Sequence, residues 1–352
     1  MARYFRQDFL TTPDGARIYF QVHGEGGPAI VMCDGLGCDG FAWKYLLPQL
    51  SATHRVIRWH YRGHGCSSVP DDTSRIGFQY TADDLIRVMD AAGVGEALVF
   101  GHSMGVQVCL EFHRRHPERV LGLVLLCGSY GFPLDTVHDD TLLRKVFPFA
   151  RTIVELLPKP VGFLNRLAMR TELTLQLALS LELNRELMQR NDLYPYFDHL
   201  AKMDPAVFVR TLESLAEHTA WDHLPNIDIP TLIIGGERDR FTPMWLSRRM
   251  AEAIPNSEFM IVPHGSHTAP LEQPQLVGQR IERFLRTRIL MSGPHEEPQP
   301  LPRAPVAEAE TVSEPVSEPA SESVAEPVSE PPKPKPKKKR KPSTRRKTGS
   351  AE

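Results

Sequence analysis

The sequence predicts an α/β domain with a mainly parallel central sheet and helices on both faces. Three observations carry that prediction. Short apolar runs, of the kind that form buried parallel strands, recur at Ala29–Met32, Val56–His60, Ala97–Phe100, Gly122–Cys127, Thr231–Gly235 and Glu258–Val262. Helical spacing of apolar residues follows at Val106–His116 and in the helix-like stretch Met244–Ile254. Finally, Ser103, Asp239 and His267 each fall just beyond one of these runs. In a parallel sheet those ends share one edge, which is where ligands bind.

Taken in order, the first run leads into Asp34-Gly35-Leu36-Gly37, and the second into Tyr61-Arg62-Gly63-His64-Gly65-Cys66-Ser67. The third leads into Gly101-His102-Ser103-Met104-Gly105, so this motif sits on a strand-to-helix turn. Such a turn holds its serine in a strained backbone conformation, and a side chain at Gly101 or Gly105 would collide with neighbouring backbone. Its sharpness lifts the Ser103 hydroxyl clear of the sheet. The three fixed letters alone would occur by chance in roughly one chain in ten of this length. Context and partners therefore decide. Thr231–Gly235 runs into Gly236-Glu237-Arg238-Asp239-Arg240-Phe241-Thr242-Pro243, and Glu258–Val262 into Pro263-His264-Gly265-Ser266-His267. A serine hydroxyl is a poor nucleophile until a base takes its proton, and the base needs an acid to orient it.

Together these motifs resemble the α/β-hydrolase fold superfamily, in its cap-bearing, esterase- or lipase-like serine-hydrolase form. The similarity covers about Phe9 to Leu290 and rests on GHSMG, the GERDRFTP loop, HGSHTAPLEQP, and the loops after the first two runs. It implies that Ser103 attacks a carbonyl carbon, His267 relays the proton and Asp239 orients His267. It also implies an oxyanion hole from the backbone N–H groups of Leu36 and Met104, each worth about 3–4 kcal/mol. Asp34 departs from the family, which commonly has histidine there. It is expected to turn away and hydrogen-bond the loop backbone, as Asp does in turns. A serine nucleophile points to esters, thioesters or lactones of a small acyl substrate. No His/Cys/Asp cluster has metal-ligand spacing and no cofactor is required. The same three residues also suit an acyltransferase or perhydrolase, and a non-catalytic ligand receptor on this fold is a reading of another class.

Rival residues are close at hand. His264 lies three residues before His267 and is read as structural, and His102 as a packed neighbour of the nucleophile. Asp135 is the alternative acid, because some relatives carry theirs after the preceding strand. Arg62 and His64 are read as fixing their turn, and Phe41 and Trp43 as packing residues.

The expected domain spans residues 1–291, with a helical cap inserted at about 132–222. Arg144–Leu157, Phe163–Leu183 and Pro205–Ala220 read as cap helices broken by Pro148, the Pro158–Pro160 pair and Pro195. Leu, Phe and Met enrich the cap, which suggests an apolar roof and an acyl-binding pocket. Within Lys145–Arg170, cations punctuate a Phe/Leu-rich stretch. That composition fits an interfacial helix on an anionic membrane, or an amphipathic cap helix with a solvated basic face. No run reaches the ~18–20 apolar residues of a membrane span. An N-terminus without a signal peptide and five scattered cysteines point to a reducing, cytoplasmic setting. From residue 292 to 352 the chain is expected to be disordered, acidic over Glu296–Glu330 and basic over Lys333–Lys347. The whole-chain charge of −2 conceals this opposition. The basic end suits nonspecific contact with nucleic acid or an anionic surface. Nothing in the sequence sets the oligomeric state.

Overall fold

The computed structural model describes residues 5–131, 149, 151–174, 176, 184 and 187–291. Asp135, the tail from residue 292, and parts of the expected cap lie outside the described residues. The strands are β1 (Phe5–Thr11), β2 (Arg17–His23), β3 (Ala29–Cys33), β4 (Val56–Trp59), β5 (Ala97–His102), β6 (Val120–Leu126), β7 (Thr231–Gly236) and β8 (Ser257–Val262). The helices are α1 (Leu46–Leu50), α2 (Phe78–Ala91), α3 (Met104–Arg115), α4 (Pro158–Ala168), α5 (Arg190–Lys202), α6 (Pro205–Glu217), α7 (Met244–Ala253), α8 (Ala269–Glu272) and α9 (Pro274–Phe284).

The strands form one sheet in the order β1-β2-β4-β3-β5-β6-β7-β8. Only β2 runs against the rest: it pairs antiparallel with β1 and β4, and every later pairing is parallel. Alternation along each strand splits the core into two layers. Val99 and Ile233 join one cluster with Leu85, Leu110 and Met250 from α2, α3 and α7. Phe100 and Ile234 join the other with Val277, Ile281 and Phe284 from α9. Both faces are thus covered, which is why β3, β5 and β7 read as unbroken apolar runs.

Among the described residues, α4, α5 and α6 lie between β6 and β7. The ends of this insertion are drawn together where Gly131 bridges Thr219, and Ala220 N–H donates to Tyr130 O at 2.8 Å. Its inner helices rest on the loops after β3 and β4. A Cβ placed on Gly37 would meet Leu200 at 2.5 Å, and one on Gly63 would meet Val207 at 2.5 Å. Asp192 of α5, buried, accepts from Lys44 Nζ at 2.5 Å and Tyr45 Oη at 2.9 Å.

One expected break is present and one is absent. Residues 151–156 are helical, Leu157 leaves the helix at φ −130, and Pro158 and Pro160 open α4, because the first turn of a helix has no acceptor for the N–H that proline lacks. That helix ends at Ala168 and not at Leu183. Pro195 sits inside α5 and forfeits the bond to Asn191 O. The helix is held there by burial of Leu193 and Phe197 and by the Asp192 anchor. Among the described residues no helix is long and apolar enough to cross a membrane.

Arg62 fixes the turn after β4, as expected. Its guanidinium donates to Asp84 of α2 at 2.6 and 2.9 Å and to Asp14 of the β1–β2 turn at 2.5 Å. Asp84 is buried, and burial raises its pKa against the pull of Arg62. Replacing Arg62 with Leu strands that carboxyl. Arg62→Leu should cost about 3–5 kcal/mol in urea unfolding. An unchanged midpoint would contradict this role.

Candidate active site

Ser103 occupies the turn between β5 and α3 at φ 58 and ψ −121, a region a side chain enters only when its surroundings enforce it. The surroundings are visible in the glycines. A Cβ on Gly101 would lie 2.4 Å from Gly105 O, and one on Gly105 would lie 2.1 Å from Cys33 O. Ser103 N–H also continues the β5–β6 pairing by donating to Leu126 O at 3.0 Å. The hydroxyl is therefore positioned by the sheet and not by a free loop.

His267, on the loop after β8, places Nε2 at 2.8 Å from Ser103 Oγ. Its Nδ1 lies 3.0 and 3.2 Å from the two carboxylate oxygens of Asp239, on the loop after β7. A carboxylate can only accept, so this geometry fixes the tautomer with the proton on Nδ1. Nε2 is then the acceptor for the Ser103 hydroxyl. Asp239 is buried but well supplied with donors. Phe241 N–H and Thr242 N–H reach it at 2.9 and 2.8 Å, and Thr242 Oγ1 at 2.7 Å. Such an array can move a proton from serine to imidazole while the carboxylate stabilises the imidazolium.

Met104 is the first residue of α3, so its N–H has no acceptor one turn back within the helix. The Leu36 loop lies opposite. A Cβ on the adjacent Gly35 would sit 3.1 Å from Ser103 Cβ. Leu36 N–H makes no backbone hydrogen bond. Two donors on either side of a hydroxyl suit a developing oxyanion.

The rivals fall elsewhere. His264, at φ 58, is exposed and faces Glu237 and Arg238. His102 is buried, and burial holds its imidazole near 4, hence neutral. Its Nε2–H donates to His267 O at 2.9 Å, which ties the serine turn to the histidine loop. Phe41 stacks on Tyr196 and Trp43 is buried.

Sequence reasoning missed two supports and saw only the turn-fixing part of a third. Glu272 accepts from Ser266 N–H at 2.7 Å and Thr268 Oγ1 at 3.0 Å, caging the His267 loop. Its His-x-x-x-x-Glu spacing was the available signal. Thr242 follows Asp239 by three residues and acts on its carboxylate. His64, kept neutral by burial near 4, bonds Arg62 O through Nδ1 and accepts from Gly37 N–H at 3.4 Å, so it braces the Leu36 loop. Among the described residues no group of three or more His, Cys, Asp or Glu side chains is placed to hold a metal ion.

Residues 28–274 match the family model described as the alpha/beta hydrolase fold. The chain belongs to this family. Over 269 residues it is 26% identical to a putative carbamate hydrolase, RutD, of Azorhizobium caulinodans, a match spanning 76% of this chain and 95% of that protein. Among solved structures it resembles the enol-lactonase of Burkholderia xenovorans, with a TM-score of 0.64 at 21% identity, over 79% of this chain and all (100%) of that one. An esterase of Thermogutta terrifontis superposes with a TM-score of 0.63 at 24% identity, over 80% and 98% of the two chains. At these identities the solved structures speak for a shared α/β-hydrolase fold.

Against the α/β-hydrolase frame, Asp34 corrects an expectation. Its carboxyl does not bond the loop backbone. It is buried, with Oδ1 lacking a hydrogen-bond partner, while its main-chain oxygen accepts from Tyr61 Oη at 2.8 Å. Burial pushes its pKa to about 7, with Arg58 pulling down and Asp39 pushing up. The folded state thus holds a proton that the unfolded chain releases near 3.8. Stability from this group is present below that value and is lost as pH rises through about 7. Asp34→Asn should therefore gain on the wild type with rising pH, by on the order of 4 kcal/mol at pH 8 and by little at pH 4. Urea unfolding at the two pH values checks this, and a constant difference would contradict it.

Proposed function

We propose that this protein is a serine hydrolase that cleaves a carboxylic ester, thioester or lactone of a fairly apolar small molecule through an acyl-serine intermediate. The observation that carries the reading is the 2.8 Å contact between Ser103 Oγ and His267 Nε2, with Asp239 on the opposite nitrogen. Family membership, together with relatives named as a carbamate hydrolase, a lactonase and an esterase, supports a hydrolytic reaction at a carbonyl group.

In the first half-reaction Ser103 Oγ bonds to the carbonyl carbon as its proton passes to His267 Nε2. Negative charge gathers on the carbonyl oxygen between the N–H groups of Leu36 and Met104. Collapse of the tetrahedral species breaks the bond to the leaving oxygen, which takes the proton from His267. Water then gives a proton to His267 Nε2 and attacks the acyl carbon, and the return of that proton to Ser103 frees the acid.

Hydrolysis of p-nitrophenyl acyl esters tests the proposal. Ser103→Ala should lower kcat by about 10³-fold or more, His267→Ala by a similar factor, and the double variant by no more than either alone. Equal rates in wild type and Ser103→Ala would refute the assignment. In the same assay Glu272→Gln should reduce kcat by about tenfold while leaving KM near the wild-type value, because it loosens the loop that aims His267. A kcat unchanged in this variant would show that the Glu272 cage does not position the base.

A further inference from the structure

Helix α4 is amphipathic in the opposite sense from a packed cap helix. Its inner side, toward α5 and α6, presents Val161, Gly162, Asn165 and Met169, all half-buried, and Asn165 Nδ2 donates to Leu200 O at 2.8 Å. The large apolar side chains point outward. Phe163, Leu164 and Leu167 are 65%, 61% and 62% exposed, and no residue of the helix is buried. Leu156 before it and Leu173 after it, 73% and 76% exposed, extend the apolar surface. Scattered exposed apolar residues are ordinary, but a contiguous set on one helix marks an interaction surface.

The charges around this face share one sign. Between Glu155 and Glu172 the chain carries no acidic residue, while Lys159, Arg166 and Arg170 interrupt the apolar set. Arg170 faces Asp198 at 3.3 Å, but Lys159 and Arg166 have no ionic partner among the described residues. A second copy of the chain is a poor occupant. An isologous contact would set these free cations against their own equivalents. An anionic lipid surface complements both features, because Phe and Leu enter the acyl boundary while Lys and Arg reach the headgroup phosphates.

We propose that the outward face of α4, with Lys159 and Arg166 at its rim, docks on an anionic phospholipid bilayer. One short apolar face gives marginal, reversible binding, and stable attachment needs a second signal. The chain carries one in Lys333–Lys347, where ten of fifteen residues are Lys or Arg and none is acidic. The proposal does not rest on the hydrolase reading, since it is read by binding without substrate.

The test is co-sedimentation of the full-length protein with vesicles of phosphatidylcholine alone or mixed with phosphatidylglycerol. The wild type should bind the mixed vesicles and be released by salt, with little binding to phosphatidylcholine. Leu164→Glu/Leu167→Glu should weaken binding by about tenfold or more, and Lys159→Gln/Arg166→Gln by a similar factor. Both variants should keep the wild-type circular dichroism and p-nitrophenyl ester hydrolysis, which separates lost docking from misfolding. Failure of the wild type to bind mixed vesicles would overturn the proposal. So would undiminished binding by Leu164→Glu/Leu167→Glu, which would leave the basic tail as the sole attachment. A solution dimer dissolved by that double variant would assign the face to a second copy and equally overturn it.

Discussion

The close approach of α3 to β5 and β3, possible only because Gly101 and Gly105 carry no Cβ, governs the geometry of the whole site. With backbone oxygens 2.1–2.4 Å from where those Cβ atoms would stand, the chain must reverse within a single residue, and Ser103 is that residue. Its positive φ costs about 1–3 kcal/mol and survives because the sheet on one side and the helix on the other over-determine it. The same reversal leaves the first N–H of α3 without a helical acceptor, on the side where an oxyanion would form. The proposed nucleophile and the proposed oxyanion donor both follow from one backbone constraint.

The other two members of the proton chain depend on that position through the parallel register. Strands β5, β6, β7 and β8 are consecutive neighbours, so the loops after β7 and β8 open on the same edge as the serine turn. Each loop is then tied down locally. Asp239 gathers two backbone donors and the Thr242 hydroxyl, Glu272 gathers the histidine loop, and His102 reaches across from the serine turn to the carbonyl of His267. A carboxylate so well supplied with donors is held in one orientation. Asp34, on the loop after β3, is buried without comparable donors, and its pKa is pushed up to about 7.

Much of this was legible in the sequence. Buried parallel strands announce themselves as apolar runs, and Ser103, Asp239 and His267 stand within a few residues of their ends. The loops that brace them were less legible, because Thr242, Glu272 and His64 act through hydrogen bonds whose partners are set only after folding. Strand β1 escaped notice because it is the edge strand and largely exposed, so no continuous apolar run marks it, and in β2, second in the sheet, Gln21 interrupts the apolar residues. The insertion was the least legible part. The Pro158–Pro160 pair marks the break at Leu157 but also starts the helix that follows, and the direction in which α4 faces depends on α5 and α6. Local pattern identifies an amphipathic helix but not which of its faces is turned inward.

The central claim is that Ser103 alone is activated, and that His267 activates it. The most direct measurement is intact-mass and peptide analysis after reaction with a fluorophosphonate, which phosphonylates a serine only when its proton is being withdrawn. The account predicts a single adduct, on the peptide carrying Ser103, that is lost in His267→Ala and in protein unfolded before labelling. A folded protein that remains unmarked, or one marked on Ser103 equally well without His267, would contradict it.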